Sequence, residues 1–188
     1  MSDRPQLPFE YALLGFQMQG PIHGYELHRR ARDELGSLWY MGISNIYGSL
    51  KRLEQAGLVE SALAVQENRP PRKVYHITTA GRQAFLEWVR RPVPSMRDMR
   101  LEFPAKLYFL HSLELAGAED LLAAQEAICR ERIERLKQSA ARRGCHDFDR
   151  LVFDFRRGQI EAILGWLQAC RAAWAEMPPD PQILQDPT

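Results

Sequence analysis

The densest grouping of reactive side chains is Cys145-His146-Asp147, a nucleophile, a base and a carboxylate in three consecutive positions. Members of a catalytic triad converge from distant parts of a chain, and neighbouring residues point apart, so this run does not read as an acyl-transfer site. His23 and Glu26 could offer two metal ligands, but no third or fourth follows at a workable spacing. No Gly-x-x-x-x-Gly-Lys loop is present to cradle a phosphate. An enzyme, a metal and a cofactor are therefore not expected. The residues with a coherent chemistry are instead hydrogen-bonding groups and cations: Asn45, Tyr47, Ser49, Lys51 and Arg52, with Gly48 among them, followed by Arg69, Arg72 and Lys73. Asn and Arg read base edges, while Ser, Tyr and Lys hold phosphates, so two such clusters on one side of a fold would suit double-stranded DNA.

These residues need a frame. Ile46, Leu50 and Leu53 repeat at helical spacing and predict a helix from about Ser44 to Ala56, stopped by Gly57. With those three turned inward, Asn45, Tyr47, Gly48, Ser49, Lys51 and Arg52 remain outside. Before it, a mostly apolar helix starts at Phe9 and ends at Gly20-Pro21, and an amphipathic one runs from Gly24 to Gly36. After it the period changes: Leu58 to Val65 and Val74 to Ile77 read as two strands, with Arg69, Arg72 and Lys73 in the polar loop between them. Thr78 is a good N-cap for a fourth helix that ends before Pro92. Elements this short must share one core. Their order is that of a winged helix-turn-helix with a two-stranded wing, spanning residues 1–91.

Beyond the Pro92/Pro94 linker the pattern is helical throughout. One helix is expected from Pro104 to Leu113, with Pro104 in its first turn, a second from about Glu119 to Arg143 and a third from about Asp147 to Ala175. On the third, Phe148, Val152, Phe155, Ile163, Trp166 and Cys170 form one apolar stripe, and Phe153, Ile160, Leu164 and Leu167 lie largely off it. Two apolar faces need two partners. The preceding helix supplies one, and a second copy of the chain is the simplest cover for the other. Residues 92–177 are thus expected to form an α-helical dimerisation arm, and 178–188 a Pro-rich tail, making the fold mainly α.

The 188 residues are 45% hydrophobic and carry a net charge of +1. That near balance hides a polarity, since residues 1–91 hold 12 Lys+Arg against 9 Asp+Glu and residues 92–188 hold 13 against 15. No apolar run reaches the length of a membrane span, and the opening Met1-Ser-Asp-Arg-Pro has no apolar core of a signal peptide, so the cytoplasm is the expected location. Three cysteines without close pairing agree with a reducing compartment.

Three blocks occur in order: Gly20-Pro-Ile-His-Gly-Tyr-Glu-Leu, Ile46-Tyr-Gly-Ser-Leu-Lys-Arg-Leu-Glu-Gln-Ala-Gly-Leu-Val-Glu, and Arg72-Lys-Val-Tyr-His-Ile-Thr-Thr-Ala-Gly-Arg. They resemble the PadR family of transcriptional regulators and cover most of residues 9–90. The arm resembles, more loosely, the virulence-activator-like C-terminal region of many members. By that resemblance the helix carrying Tyr47 and Lys51 is the recognition helix, Arg72 and Lys73 anchor the wing, and the protein is a homodimeric repressor. Gly48 departs from the pattern, since many members have Pro there.

The resemblance also implies a small aromatic or hydrophobic effector, and Trp39, Tyr40, Met96, Met99, Phe103 and Tyr108 are the residues that could line a cleft between the two halves. The same residues serve equally as core. Two other readings stay open. Cys145, beside Arg142, Arg143 and His146, could be a redox-sensing thiol; alternatively, the winged helix could bind protein partners. A symmetric dimer that binds DNA would prefer an inverted repeat.

Overall fold

The computed structural model of the chain describes residues 7–40, 42–66, 69–143 and 147–177. Helix α1 (Pro8–Phe16) continues into a short 3-10 turn, Gln17–Gln19, and is followed by strand β1 (Ile22–His23), α2 (Gly24–Leu35) and α3 (Ile43–Gln55). Strands β2 (Val59–Gln66) and β3 (Arg69–Ile77) form the wing, and α4 (Thr79–Arg90) closes this half. The arm consists of α5 (Asp98–Ser112), α6 (Ala118–Arg143) and α7 (Asp147–Trp174). Among the described residues no helix is long and apolar enough to cross a membrane.

The first half forms where its periodicity predicts. Leu13, Leu14, Leu27, Ala31, Ile46, Leu50, Leu53, Phe85 and Val89 are fully buried and build one core from four helices. Thr78 caps α4, its hydroxyl oxygen accepting the Gly81 amide at 3.0 Å. The sheet is richer than expected, with antiparallel order β1-β3-β2. Two residues of β1 are too few to leave a periodic trace, but they pair Ile22 with Tyr75 and His23 with Val74. Strand β3 also starts earlier than predicted, so Arg69, Arg72 and Lys73 stand on a strand and not in the loop.

Helix α5 begins six residues before Pro104, which therefore lies inside the helix and not in its first turn. The segment is held despite the missing amide because it is almost all core: Phe103, Ala105, Lys106, Phe109 and Leu110 are buried. Phe109 enters the first half and meets Phe16, Phe85 and Trp88 with ring centroids 5.1, 5.5 and 6.4 Å away. Gly15 makes room for it, since a Cβ there would lie 2.6 Å from the Phe109 ring. The linker is pinned as well: the Gln125 side chain of α6 accepts the Val93 amide at 2.7 Å and donates to its carbonyl at 3.1 Å.

Helices α6 and α7 pack antiparallel, as the 2.7 Å pair between Arg171, late in α7, and Glu119, at the start of α6, requires. Ile160 and Leu167 are the buried residues of α7. Phe148 and Phe155 are 73% and 64% exposed, and Leu151 beside them 68%. Of the stripe expected to meet a second chain, Ile163 and Cys170 instead pack on the chain's own core and Trp166 on Phe103, because the later part of α7 lies against α5 and α6, and the open apolar face is confined to the start of α7.

Candidate nucleic-acid interface

On α3, Tyr47, Lys51 and Glu54 stand at i, i+4 and i+7 and share one stripe. Asn45, Tyr47 and Lys51 are exposed, as the periodicity predicts. Tyr47 leans on the start of α2, where a Cβ on Gly24 would lie 2.6 Å from its ring. The glycine of the first sequence block and the tyrosine of the second are therefore one packing unit.

Ser49 departs from expectation, being 1% exposed. Three residues after Ile46 and four before Leu53, it falls on the inner side of the helix and cannot face a ligand there. Its hydroxyl accepts from the Arg52 guanidinium at 2.8 Å. Arg52 donates through Nε to the buried carboxylate of Glu10 at 2.5 Å, and Glu10 also accepts the Leu7 amide at 3.0 Å. Half-exposed Arg52 thus ties α3 to α1, a role that its position on the outer side of α3 did not reveal.

The wing lies against the same stripe. Lys73 donates to Glu54 at 2.9 Å, and Ser61 on β2 donates to the other oxygen of that carboxylate at 2.5 Å. The Lys73 ammonium also sits 5.2 Å from the centre of the Tyr75 ring. The hydroxyl of Ser61 and then the Lys73 ammonium hold the Glu54 carboxyl below its ordinary range. Glu54 in turn raises Lys73. Arg72, the adjacent residue, belongs to the opposite face of the ribbon and is exposed. Arg69 lies on β3, but its side chain falls outside the described residues.

The expected effector residues are not brought to one wall. Trp39 meets Phe9 edge-on at 6.3 Å, Tyr40 is 95% exposed, Met99 and Phe103 are buried, and Tyr108 packs on Phe16 and Phe109. Half-buried Met96 packs on the core. A shallow pocket of about 180 Å³ lies elsewhere, lined by Phe16, Gln19, Gly20, Pro21, Ile22, Glu26 and Arg30.

In the arm, Phe148 and Phe155 are open, Val152, Ile163 and Cys170 are half-buried, and Trp166 packs edge-on against Phe103 at 6.0 Å. Leu151 joins the open stripe, and its i+3 relation to Phe148 could have identified it. Burial raises the thiols of Cys129 and Cys170 above their ordinary value, so neither is held as a thiolate. Cys145 lies outside the described residues. Glu10 and Glu54 are the residues that the sequence reading missed. No spacing rule links Glu10 to Arg52 across 42 residues or Glu54 to Lys73 across 19.

Comparison with known proteins decides the family. Residues 13–87 match the model of the transcriptional regulator PadR-like family, and residues 99–174 match the virulence activator alpha C-terminal model. A Mycobacterium tuberculosis protein named "probable transcriptional regulator" is 31% identical over 137 residues, 71% of this chain and 72% of the other. The chain belongs to the PadR-like family of transcriptional regulators. The "negative transcriptional regulator PadR" of Bacillus subtilis is 32% identical over 116 residues, which span 62% of this chain and 64% of that relative, a little under two thirds of its length. A crystal structure of B. subtilis PadR in complex with operator DNA aligns over 88% of this chain and 98% of that one, at 27% identity and a TM-score of 0.45. The three blocks of the PadR-like pattern correspond here to the α2 start, α3 with its following turn, and β3 with the α4 cap.

Proposed function

We propose that this PadR-like protein is a sequence-specific, homodimeric DNA-binding repressor. The observation that carries the reading is the exposed stripe of α3, with Tyr47 and Lys51, flanked by a wing strand that α3 itself holds in place. An α-helix fits the major groove, and a neighbouring cationic strand reaches the adjacent backbone. Asn45 is assigned to a base edge, and Tyr47, Lys51, Arg69 and Arg72 to the DNA surface. Ser49 on the inner side of α3 and half-exposed Arg52 on its flank hold the helix to α1. Repression is the finer part, supported by the name of the B. subtilis relative.

Residues 1–91 are proposed as the DNA-binding unit, 92–177 as the dimerisation arm and 178–188 as the tail, with α5 the part of the arm that docks into the first unit. The separate spans of the two family models support that division. The open stripe Phe148, Leu151, Val152 and Phe155 is assigned to the second copy, because an aromatic and aliphatic patch at helical spacing favours burial against an equivalent one. A small aromatic or hydrophobic effector is a separate element, tested by titrating phenolic acids into the protein–DNA complex.

Two recognition helices related by a two-fold axis should select an inverted repeat whose half-sites lie about 10 base pairs, or a small multiple, apart. Footprinting upstream of the protein's own gene is expected to show paired protection. Inserting five base pairs between the half-sites turns one to the far face and should abolish tight binding. Indifference to the insertion, or protection of a single asymmetric site, would refute the dimeric reading.

A further inference from the structure

We propose that Glu54 is a positioning residue for DNA recognition: with Lys73 and Ser61 it clamps the wing to α3 and so fixes the separation between Lys51 on the helix and Arg72 on the strand. The inference rests on the DNA-binding reading above. Its starting point is an acid in an unfavourable place. Glu54 follows Tyr47 and Lys51 on the same stripe, where an uncompensated carboxylate would repel the phosphates that Lys51 attracts.

Both oxygens of that carboxylate are engaged, one by each strand of the wing. Oε1 accepts from Ser61 on β2 and Oε2 from Lys73 on β3. Ser61 lies directly opposite Tyr75 in the ladder, and Lys73 is two residues before Tyr75, so the bridging groups share the face turned to α3. The β3 backbone is held at the same level, where His23 Nδ1 lies 3.4 Å from the Lys73 carbonyl and His23 pairs with Val74.

Beyond this level the third strand ends. Past Lys73 toward the tip, β3 pairs with β2 alone, and the ladder carries an irregularity between Ala64 and Gln66. A two-stranded ribbon of this kind has little stability of its own and would pivot about its base. The Glu54 clamp lies where the ribbon leaves the three-stranded sheet, the position at which it best resists that pivot. Arg72, one residue further out on the opposite face, inherits its position from the clamp.

The clamp and a simple charge argument predict opposite signs. If Lys73 were a free phosphate ligand with Glu54 as its competitor, removing the acid would tighten binding. If Glu54 positions the wing, removing it weakens binding although the protein becomes more positive. The test uses full-length protein and the operator found by footprinting, with affinity measured by fluorescence anisotropy at several salt concentrations. Glu54→Gln and Lys73→Met should each weaken binding by roughly two- to fivefold, the range expected for an exposed ion pair. The double variant should lose no more than either single one, and the salt slope should stay unchanged in all three.

Amide exchange on the free variants supplies a second reading: β2 and β3 amides of Glu54→Gln should exchange faster, with those of α6 and α7 unaltered. Tighter binding by Glu54→Gln, or a salt slope that falls by about one in Lys73→Met, would overturn the proposal, since the latter marks a phosphate contact. Unchanged wing exchange would overturn it as well. If the wild type binds no DNA at all, the DNA-binding reading is what fails, and exchange in the free protein still decides whether Glu54 clamps the wing.

Discussion

The exposed stripe of α3 and the open stripe of α7 differ in chemistry. In the winged helix, Leu13, Leu14, Leu27, Ile46, Phe85 and Trp88 are buried, and apart from Ile43 at its first position α3 shows polar, aromatic or cationic side chains to solvent. In the arm, α7 buries Ile160 and Leu167 but leaves Phe148, Leu151 and Phe155 open. The α3 stripe suits a polar, anionic partner, whereas the α7 stripe suits another apolar face. Helix α5 crosses this division, belonging to the arm by chain order and to the winged helix by packing. Phe109 points into the first core, and Phe103 meets Trp166 of α7.

The largest expected effect breaks the comparison at α5. Lys106 is 1% exposed, yet it donates to Glu102 at 2.8 Å and to the Arg91 carbonyl at 2.7 Å, with Trp88 donating its indole N–H to the same Glu102 oxygen at 2.8 Å. Lys106→Met leaves Glu102 buried without its cation and should cost about 3–5 kcal/mol in chemical unfolding. Adding Glu102→Gln, which still accepts from Trp88, should recover most of that loss. Equal stability of the single variant and the wild type would mean that the pair does not hold α5 to the winged helix.

The same lysine sets a pH dependence. Burial lowers the Lys106 ammonium from its ordinary 10.5, so the unfolded chain binds the proton more tightly than the folded one. Between the depressed folded value and 10.5, unfolded molecules hold more protons, and this group's contribution to stability rises with pH. The slope difference between wild type and Lys106→Met, read from unfolding at several alkaline pH values, should carry that sign.

A smaller effect sharpens the contrast from the arm's side. Phe155→Asp should leave the fold of each subunit intact while weakening dimerisation by about 2 kcal/mol or more, roughly 30-fold, as central aromatic contacts of interfaces do. Sedimentation of the wild type as a monomer at micromolar concentration would show that the open stripe has another use. The smallest effect concerns the cationic surface: Lys51→Ala and Arg72→Ala should each lower the salt slope of DNA binding by about one without altering sequence preference. Unchanged affinity in both, with the fold intact by circular dichroism, would remove them from the DNA surface.

Much of this was legible in the residues themselves. Helical periodicity placed α3 and exposed Tyr47 and Lys51, Thr78 marked the α4 start, and the apolar excess of α7 was visible, although Ile163, Trp166 and Cys170 of its expected outer stripe pack within the chain. Where local signals were short or contradictory the reading slipped. Two residues of β1 leave no period, and Pro104 suggested a helix start that the buried environment of α5 overrode. The polarity of Ser49 points outward, but its register between Ile46 and Leu53 buries it.

By itself the sequence determined which positions turn inward and which segments form elements, because both follow from local spacing and backbone preference. The tertiary structure decided which cations remain available. Lys51, Arg52, Arg72 and Lys73 are all exposed, but Arg52 and Lys73 are drawn to Glu10 and Glu54. Periodicity fixes the face that a long side chain leaves from, but the partner it reaches comes from whichever segment folding brings within hydrogen-bond distance. Phe155 shows the same limit from the apolar side: its spacing marks it for burial, and only the packed arm shows that, among the described residues, it stays 64% exposed.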